Sequence, residues 1–188
     1  MAEFKEPFNQ QRIERAGSAL REAIETIFLT AVLFFLIQVF VQNFRIQGPC
    51  MEPNLHDGQR LVINKIVYHL HPPQRGDIIV FRCPFDPKRD FIKRVIGLPG
   101  EEVEVKRGRV YINGRELKEP YVANPATYSW GPKVLGPDEF FVLGDNRSNS
   151  NDSHNWGPLH RKYIVGKACI SYWPPKDWGL IPHYSFGQ

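Results

Sequence analysis

EEVEVKRGRVYINGREL, residues 101–117, carries the period of a β-strand twice over. Val103 and Val105 alternate with charged residues, the chain turns at Arg107-Gly108, and alternation resumes through Val110 and Ile112. Asn113-Gly114 follows, a dipeptide whose residues accept the positive φ of a tight hairpin turn. The segment therefore predicts a β-ribbon.

The neighbouring stretches extend that reading. DIIVFR, Asp77 to Arg82, is a β-branched apolar run bounded by Pro72, Pro73 and Gly76 on one side and Pro84 on the other, as expected of a buried strand. EFFVLGDN (Glu139 to Asn146) and YIVGKACISYW (Tyr163 to Trp173) are further strand candidates. PYVANPATYSWGPKVLGP, residues 120–137, is rich in turn residues and predicts an irregular lobe or long loop. The 188 residues include 16 prolines and 15 glycines, which favours many turns over long helices. The expectation is one mainly β domain over residues 43–188, with the ribbon and lobe at about 101–138.

AIETIFLTAVLFFLIQVFV, Ala23 to Val41, is the exception. About 19 residues long, with Glu25 and Gln38 its main polar interruptions, it matches the length a helix needs to cross a bilayer core. A core helix would show a polar face. A cleavable signal peptide would lie nearer the start and end in small residues, whereas about 22 residues come first and QVFVQNF offers no such site. The reading is a transmembrane helix over 23–42. Lys5, Arg12, Arg15 and Arg21 precede it and only Arg45 follows closely, so the positive-inside rule puts segment 1–22 in the cytoplasm and the β domain outside.

The net charge of +4 is spread along the chain with no dense basic stripe, which argues against a nucleic-acid partner. The three cysteines, Cys50, Cys83 and Cys169, cannot all pair with one another, and no CxxC or zinc-ribbon spacing is present. Whether Cys83 and Cys169 meet is open.

Three elements hold residues able to do chemistry. In GPCMEPNL, residues 48–55, a lone cysteine would ordinarily be a small core hydrophobe. Gly48, Pro49 and Pro53, however, make a rigid corner after the strand VQNFRI, with the Cys50 amide available to an oxyanion, which is what a nucleophile needs. In DFIKRVIGLPGE, residues 90–101, strand alternation turns Lys93 to the opposite face from Ile92 and Arg94. A strand lysine is usually solvated; a buried one loses its proton more easily and becomes a general base. In LGDNRSNSNDSHNWG, residues 143–157, Asp, Asn and Ser suit turn capping, and an ion pair of Arg147 with Asp145 or Asp152 would pin the loop. The loop lacks the EF-hand spacing, so no metal or other cofactor is expected. His56 and His154 are competing bases for Cys50, and both read as surface residues.

Taken together, the anchor and these elements resemble the bacterial type I signal peptidases, membrane-anchored Ser/Lys proteases that remove signal peptides from exported proteins. CMEPNL is similar to the family's nucleophile box SMxPTL, KRVIGLPGE to its general-base box, and GDNRSNSNDSH to its GDNRxxSxDSR box, in the family's order over nearly the whole chain. The resemblance implies a signal-peptidase-like β fold with a ribbon extension. It puts Cys50 at the catalytic serine, Lys93 at the general base and Ser150 at the serine that orients the lysine by a hydrogen bond. Asp145, Asn146, Arg147 and Asp152 match the supporting loop. Phe44, Ile46, Leu55 and Ile92 fall where the family lines shallow pockets for small substrate residues, the substrate lying extended between two strands. Implied partners are the signal peptides of exported preproteins, membrane lipid and the secretion translocon, at the bacterial cytoplasmic (inner) membrane.

The chain departs from that pattern. Asn54 replaces the box threonine, His154 the final arginine, and Gly48 stands where some members place an extra hydroxyl donor. The largest departure is Cys50 for serine. A thiol has a reference pKa near 8.5 against about 10.4 for lysine, so a close pair can rest as thiolate and ammonium. The larger sulfur also shifts the carbonyl against its oxyanion donors, and slower peptide cleavage than with serine is expected. The alternative is an impaired or inactive relative, natural or engineered, that binds exported chains at the membrane. Late aromatic residues Trp156, Tyr172, Trp173 and Trp178 suit a membrane interface, with core packing preferred for Trp156 and Trp173.

Overall fold

The alternation that ends at Ile112 folds as a hairpin, and the longer apolar runs around it fold as a second, larger sheet. A computed structural model describes residues 6–184 and 186; the first five residues of segment 1–22 lie outside them. The strands are β1 (Val41–Arg45), β2 (Arg60–Asn64), β3 (Ile78–Cys83), β4 (Asp86–Gly97), β5 (Glu102–Lys106), β6 (Arg109–Ile112), β7 (Arg115–Glu116), β8 (Trp130–Val134), β9 (Glu139–Leu143), β10 (Leu159–His160), β11 (Ile164–Trp173) and β12 (Gly179–Leu180). Helices are α1 (Glu6–Phe40) and two single turns, α2 (Val67–Leu70) and α3 (Ser153–Trp156).

Two units divide at Phe40 and Val41. In the first, Gly17–Phe40 of α1 is 24 residues long and apolar enough to cross a membrane, and none of it is buried. At about 1.5 Å per residue it exceeds the roughly 30 Å of a hydrocarbon core. The helix stops at Phe40, and Val41 and Gln42 begin β1.

In the second unit the larger sheet runs β1-β2-β11-β3-β4-β9-β10, with β12 added to β11, and the smaller runs β7-β6-β5-β8. Every pairing is antiparallel. β3 explains why DIIVFR is continuously apolar. Ile78 and Val80 enter one core cluster with Ile46, Met51, Leu61 and Ile63, while Ile79 and Phe81 enter another with Val95, Phe140 and Val142. A strand covered on both faces has no polar side to show. The ribbon keeps its alternation: Val103, Val105 and Val110 are buried and the charges between them are not.

Two expectations change. The segment read as irregular contains β8, which pairs with β5 and packs Trp130 on Phe141, ring centroids 4.2 Å apart. Its Pro132 reads as a strand breaker, but β8 is the edge of its sheet, where a missing N–H costs no ladder bond. Trp173, expected in the core, is 53% exposed, whereas Trp156 is half-buried against Phe81. β11 changes register between Ser171 and Trp173, and such a bulge resets which face the following side chain takes.

Candidate active site

The turn between β1 and β2 carries Cys50. Gly48 opens it at φ 86°, a backbone region that glycine occupies without strain, and donates its N–H to Asp57 Oδ1 at 2.8 Å. Glu52 N–H bonds Pro49 O at 3.1 Å and Leu55 N–H bonds Met51 O at 2.9 Å, while Met51 is fully buried beneath. The corner is thereby wound tight and rooted in the core. Cys50 itself is half-buried, and among the described residues its amide donates to no protein acceptor.

Lys93 comes from the middle of β4, opposite Ile79 of β3. Where a solvated side chain is the ordinary expectation, this one is 3% exposed, because β4 from Ile92 to Gly97 is buried on both faces. Its Nζ donates to Cys50 Sγ at 3.1 Å and to Ile92 O at 2.8 Å, and lies 5.5 Å from the Phe91 ring centroid. Cys50 and Lys93, 43 positions apart, thus meet as a hydrogen-bonded pair. Neither His56 nor His154 is bonded to the thiol: His56 is exposed, and His154 is engaged elsewhere.

The pair sits in a groove of about 560 Å³ running between β1 and β4, with Phe44, Gly48, Asp90 and Ile92 among its walls. Phe44 and Ile92 thus line the groove. Ile46 and Leu55 are 0% and 3% exposed members of the core cluster below, and are not among the groove walls.

The loop after β9 backs the site differently from the sequence expectation. Asp145 is fully buried and receives Arg94 Nε at 2.8 Å and Nη2 at 2.7 Å. Arg147, expected to pair with Asp145 or Asp152, instead donates to Glu119 from Nη1 at 2.9 Å and Nη2 at 2.5 Å. The reason is competition: Asp145 is filled by Arg94, and Asp152 accepts Gly144 N–H at 2.9 Å and caps α3 through His154 N–H. Asn146 ties the loop to the corner, donating its N–H to Cys50 O at 3.1 Å and its Nδ2 to Pro49 O at 3.2 Å. His154, expected at the surface, bonds Asp152 Oδ1 at 2.6 Å and stacks on Tyr128 at 3.8 Å, taking over the support of Asp152.

Ser150 Oγ is buried and has no hydrogen-bond partner among the described residues, so the bond to Lys93 implied by the resemblance is not formed here. Gly144 faces it closely. A Cβ there would collide with Ser150 Oγ and with Cys50 O, so this position admits no side chain.

Sequence reasoning missed Glu119 and Tyr121, which come from the lobe and lack any local pattern. Tyr121 is buried, lies 4.2 Å from the Arg94 guanidinium, and donates its hydroxyl to Glu119 Oε1 at 2.8 Å. Burial, reinforced by Glu119, pushes its phenol pKa well up, which keeps it a neutral donor. Cys50, Cys83 and Cys169 are all free thiols. Among the described residues no cluster of three or more His, Cys, Asp or Glu is placed to hold a metal ion.

A thiol bonded to a buried amine in an open groove, beside an amide that donates to no acceptor among the described residues, can serve acyl transfer through a covalent intermediate. The comparisons with known proteins agree in class. The model of the family described as signal peptidase, peptidase S26, matches residues 20–173. The chain belongs to that family. It is 49% identical over 175 residues to a signal peptidase I of Leptolyngbya laminosa, covering 89% of this chain and 86% of that one. It is 44% identical over 176 residues to a probable signal peptidase I-1 of Synechocystis sp., covering 89% of each. A signal peptidase I of Bacillus amyloliquefaciens is 34% identical over 189 residues, covering 94% of this chain and 97% of its own.

Proposed function

We propose that this chain is a membrane-anchored endopeptidase that removes signal peptides from exported preproteins, with Cys50 as nucleophile and Lys93 as general base. The observation that carries the reading is the 3.1 Å contact between Lys93 Nζ and Cys50 Sγ at the wall of the groove. An extended substrate segment enters between β1 and β4, with its small residues against Phe44 and Ile92. Sγ attacks the scissile carbonyl carbon, Lys93 holds the thiol proton, and the Cys50 N–H receives the oxyanion. As the tetrahedral adduct collapses, the C–N bond breaks and Nζ delivers the proton to the leaving amine, which departs as the new amino terminus. Nζ, now neutral, takes a proton from water; the hydroxide attacks the thioester carbonyl, the C–S bond breaks to expel the thiolate and the signal peptide acid, which loses its proton to water, and Nζ returns its proton to the sulfur.

Asp145, Asn146, Arg147 and Asp152 support the site by holding the loop and corner together, and Ser150 stands beside it. The anchor keeps the enzyme in the bilayer that also holds the apolar segment of its substrate, near the translocon, with the amino terminus cytoplasmic and the site outside the bacterial inner membrane. A second reading, an impaired relative that binds exported chains, is favoured by one observation: Ser150 Oγ makes no bond among the described residues, so Lys93 lacks its orienting hydroxyl.

Cleavage of a preprotein with small residues at its processing site, by the detergent-solubilised chain, separates the two. In the active reading the parent cuts, and Cys50→Ala or alkylation abolishes cutting. In the impaired reading the parent does not cut; cutting restored by Cys50→Ser traces the loss to the thiol, and none restored traces it to Lys93 without its orienting hydroxyl. Cys50→Ser is expected to be faster than the parent, by about tenfold or more if the larger sulfur misplaces the carbonyl; a slower serine variant would sink that account of the thiol.

A further inference from the structure

Asn54 lies in the same turn as Cys50, and its Nδ2 donates twice: to Asp145 Oδ2 at 2.9 Å and to Tyr121 O at 2.8 Å. Both partners are acceptors. One is a carboxylate and the other a backbone carbonyl, so the group between them must bring two hydrogens. A carboxamide has them; a hydroxyl, as in the threonine of the family motif, has one. Asp145 is 0% exposed and Tyr121 2%, so a bond lost there is poorly replaced by water.

Both partners are also committed further. Asp145 grips Arg94, the residue next to Lys93, through two bonds of 2.7 and 2.8 Å. Tyr121 packs its ring on the same guanidinium and its hydroxyl on Glu119, which holds Arg147. The bonds therefore close a ring: Cys50 through the turn to Asn54, Asn54 to Asp145, Asp145 to Arg94, Arg94 along β4 to Lys93, and Lys93 Nζ back to Cys50 Sγ. Asn146, next to Asp145 in the loop after β9, also tethers the corner, through its N–H to Cys50 O and its Nδ2 to Pro49 O, so Asn54 is one of two ties between this loop and the nucleophile turn.

We infer that Asn54 is a positioning residue: its two N–H bonds set the separation of the Cys50 sulfur from the Lys93 amine and couple the lobe at Tyr121 to the nucleophile turn. This rests on the reading of Cys50 and Lys93 as nucleophile and base. A carboxylate at position 54 would face Asp145 with like charge and offer no hydrogen to either partner, moving the turn off β4. Alanine removes both bonds, and threonine keeps one.

The test compares the full-length parent with Asn54→Asp, Asn54→Ala and Asn54→Thr in detergent by three readouts: thermal unfolding, the iodoacetamide alkylation rate of Cys50 followed on its own peptide by mass spectrometry, and kcat and KM on a preprotein. Expected for Asn54→Asp is a kcat lowered about a hundredfold with KM within about threefold, because misplacement acts on the reacting atoms more than on the groove. Its Cys50 alkylation slows about threefold or more as Sγ loses its bond from the Lys93 amine. Asn54→Thr falls between parent and Asn54→Ala in both. Should Asn54→Asp fail to fold, the alanine and threonine variants carry the comparison. Folded variants whose kcat and alkylation rate match the parent overturn the inference, as does a kcat loss that merely follows the unfolded fraction while Cys50 alkylates normally. A parent that cuts nothing counts against the catalytic reading, and the alkylation arm still decides the role of Asn54.

Discussion

Lys93 and Arg94 are consecutive cations on one strand, both removed from water, and they have opposite surroundings. Arg94 is fully buried with its charge answered by a bidentate bond to Asp145, a bond from Nη1 to Gly76 O at 2.9 Å, and the rings of Tyr121 and Tyr184 at 4.2 and 5.1 Å. Lys93 is nearly as hidden, yet its bonds go to a backbone carbonyl and a sulfur, with no carboxylate bonded to it among the described residues. Strand alternation sends the two to opposite faces. The lesson is one of use: a buried cation with a matched anion holds structure, and the residue left with a thiol is the one proposed for proton transfer.

The comparison can be broken from either side. Replacing Lys93 by Met removes the proton carrier while leaving apolar volume, so kcat on a preprotein is expected to fall by about 10²–10⁴ with the melting temperature unchanged or raised. A Lys93→Met chain that keeps its activity would mean Lys93 is only another structural cation. Replacing Asp145 by Ala strands the Arg94 charge in the interior, and a loss of about 3–5 kcal/mol is expected in denaturant unfolding. The double variant Arg94→Met, Asp145→Leu should recover most of that loss, because removing both charges removes the penalty as well. If the single variant costs less than 1 kcal/mol, the pair behaves like a surface one and the contrast with Lys93 fails.

How far these two residues could be read beforehand follows from where their signals lie. The strands were legible because alternation at Val103 to Ile112 and continuous burial at Ile78 to Phe81 are local patterns. Cys50, Lys93 and the loop boxes were legible through resemblance, which places residues in order without distances. Burial of Lys93 was not legible, since a lysine between apolar strand residues reads equally as a solvated face. Nor was the partner of Arg147: Asp145 and Asp152 are near it in sequence, whereas Glu119 is 28 positions away in a segment with no periodicity. Asn54 was seen as a departure from the motif, but its two acceptors lie 67 and 91 positions away, and only the folded chain brings them together.

The smallest effect tests the answered side of the comparison through the segment that carries Tyr184. His183, beside it, receives the Ile78 N–H on Nδ1 at 3.4 Å and faces Asp77, Lys167 and Arg94. Burial, helped by the Lys167 and Arg94 charges and opposed by Asp77 and a backbone bond at Ala168, lowers its pKa to about 4. An unfolded histidine titrates near 6.5. Between those values the unfolded chain binds a proton that the folded one refuses, so the stabilisation from neutral His183 is complete above pH 6.5 and declines as pH falls toward 4. The ideal slope is about 1.4 kcal/mol per pH unit, reduced by solvent screening of a side chain that is 24% exposed. Going from pH 7 to pH 5, the parent should lose about 1 kcal/mol more than His183→Asn, measured by denaturant unfolding at each pH. Equal losses would mean that His183 carries none of the acid sensitivity, and would leave Tyr184 to brace Arg94 by stacking alone.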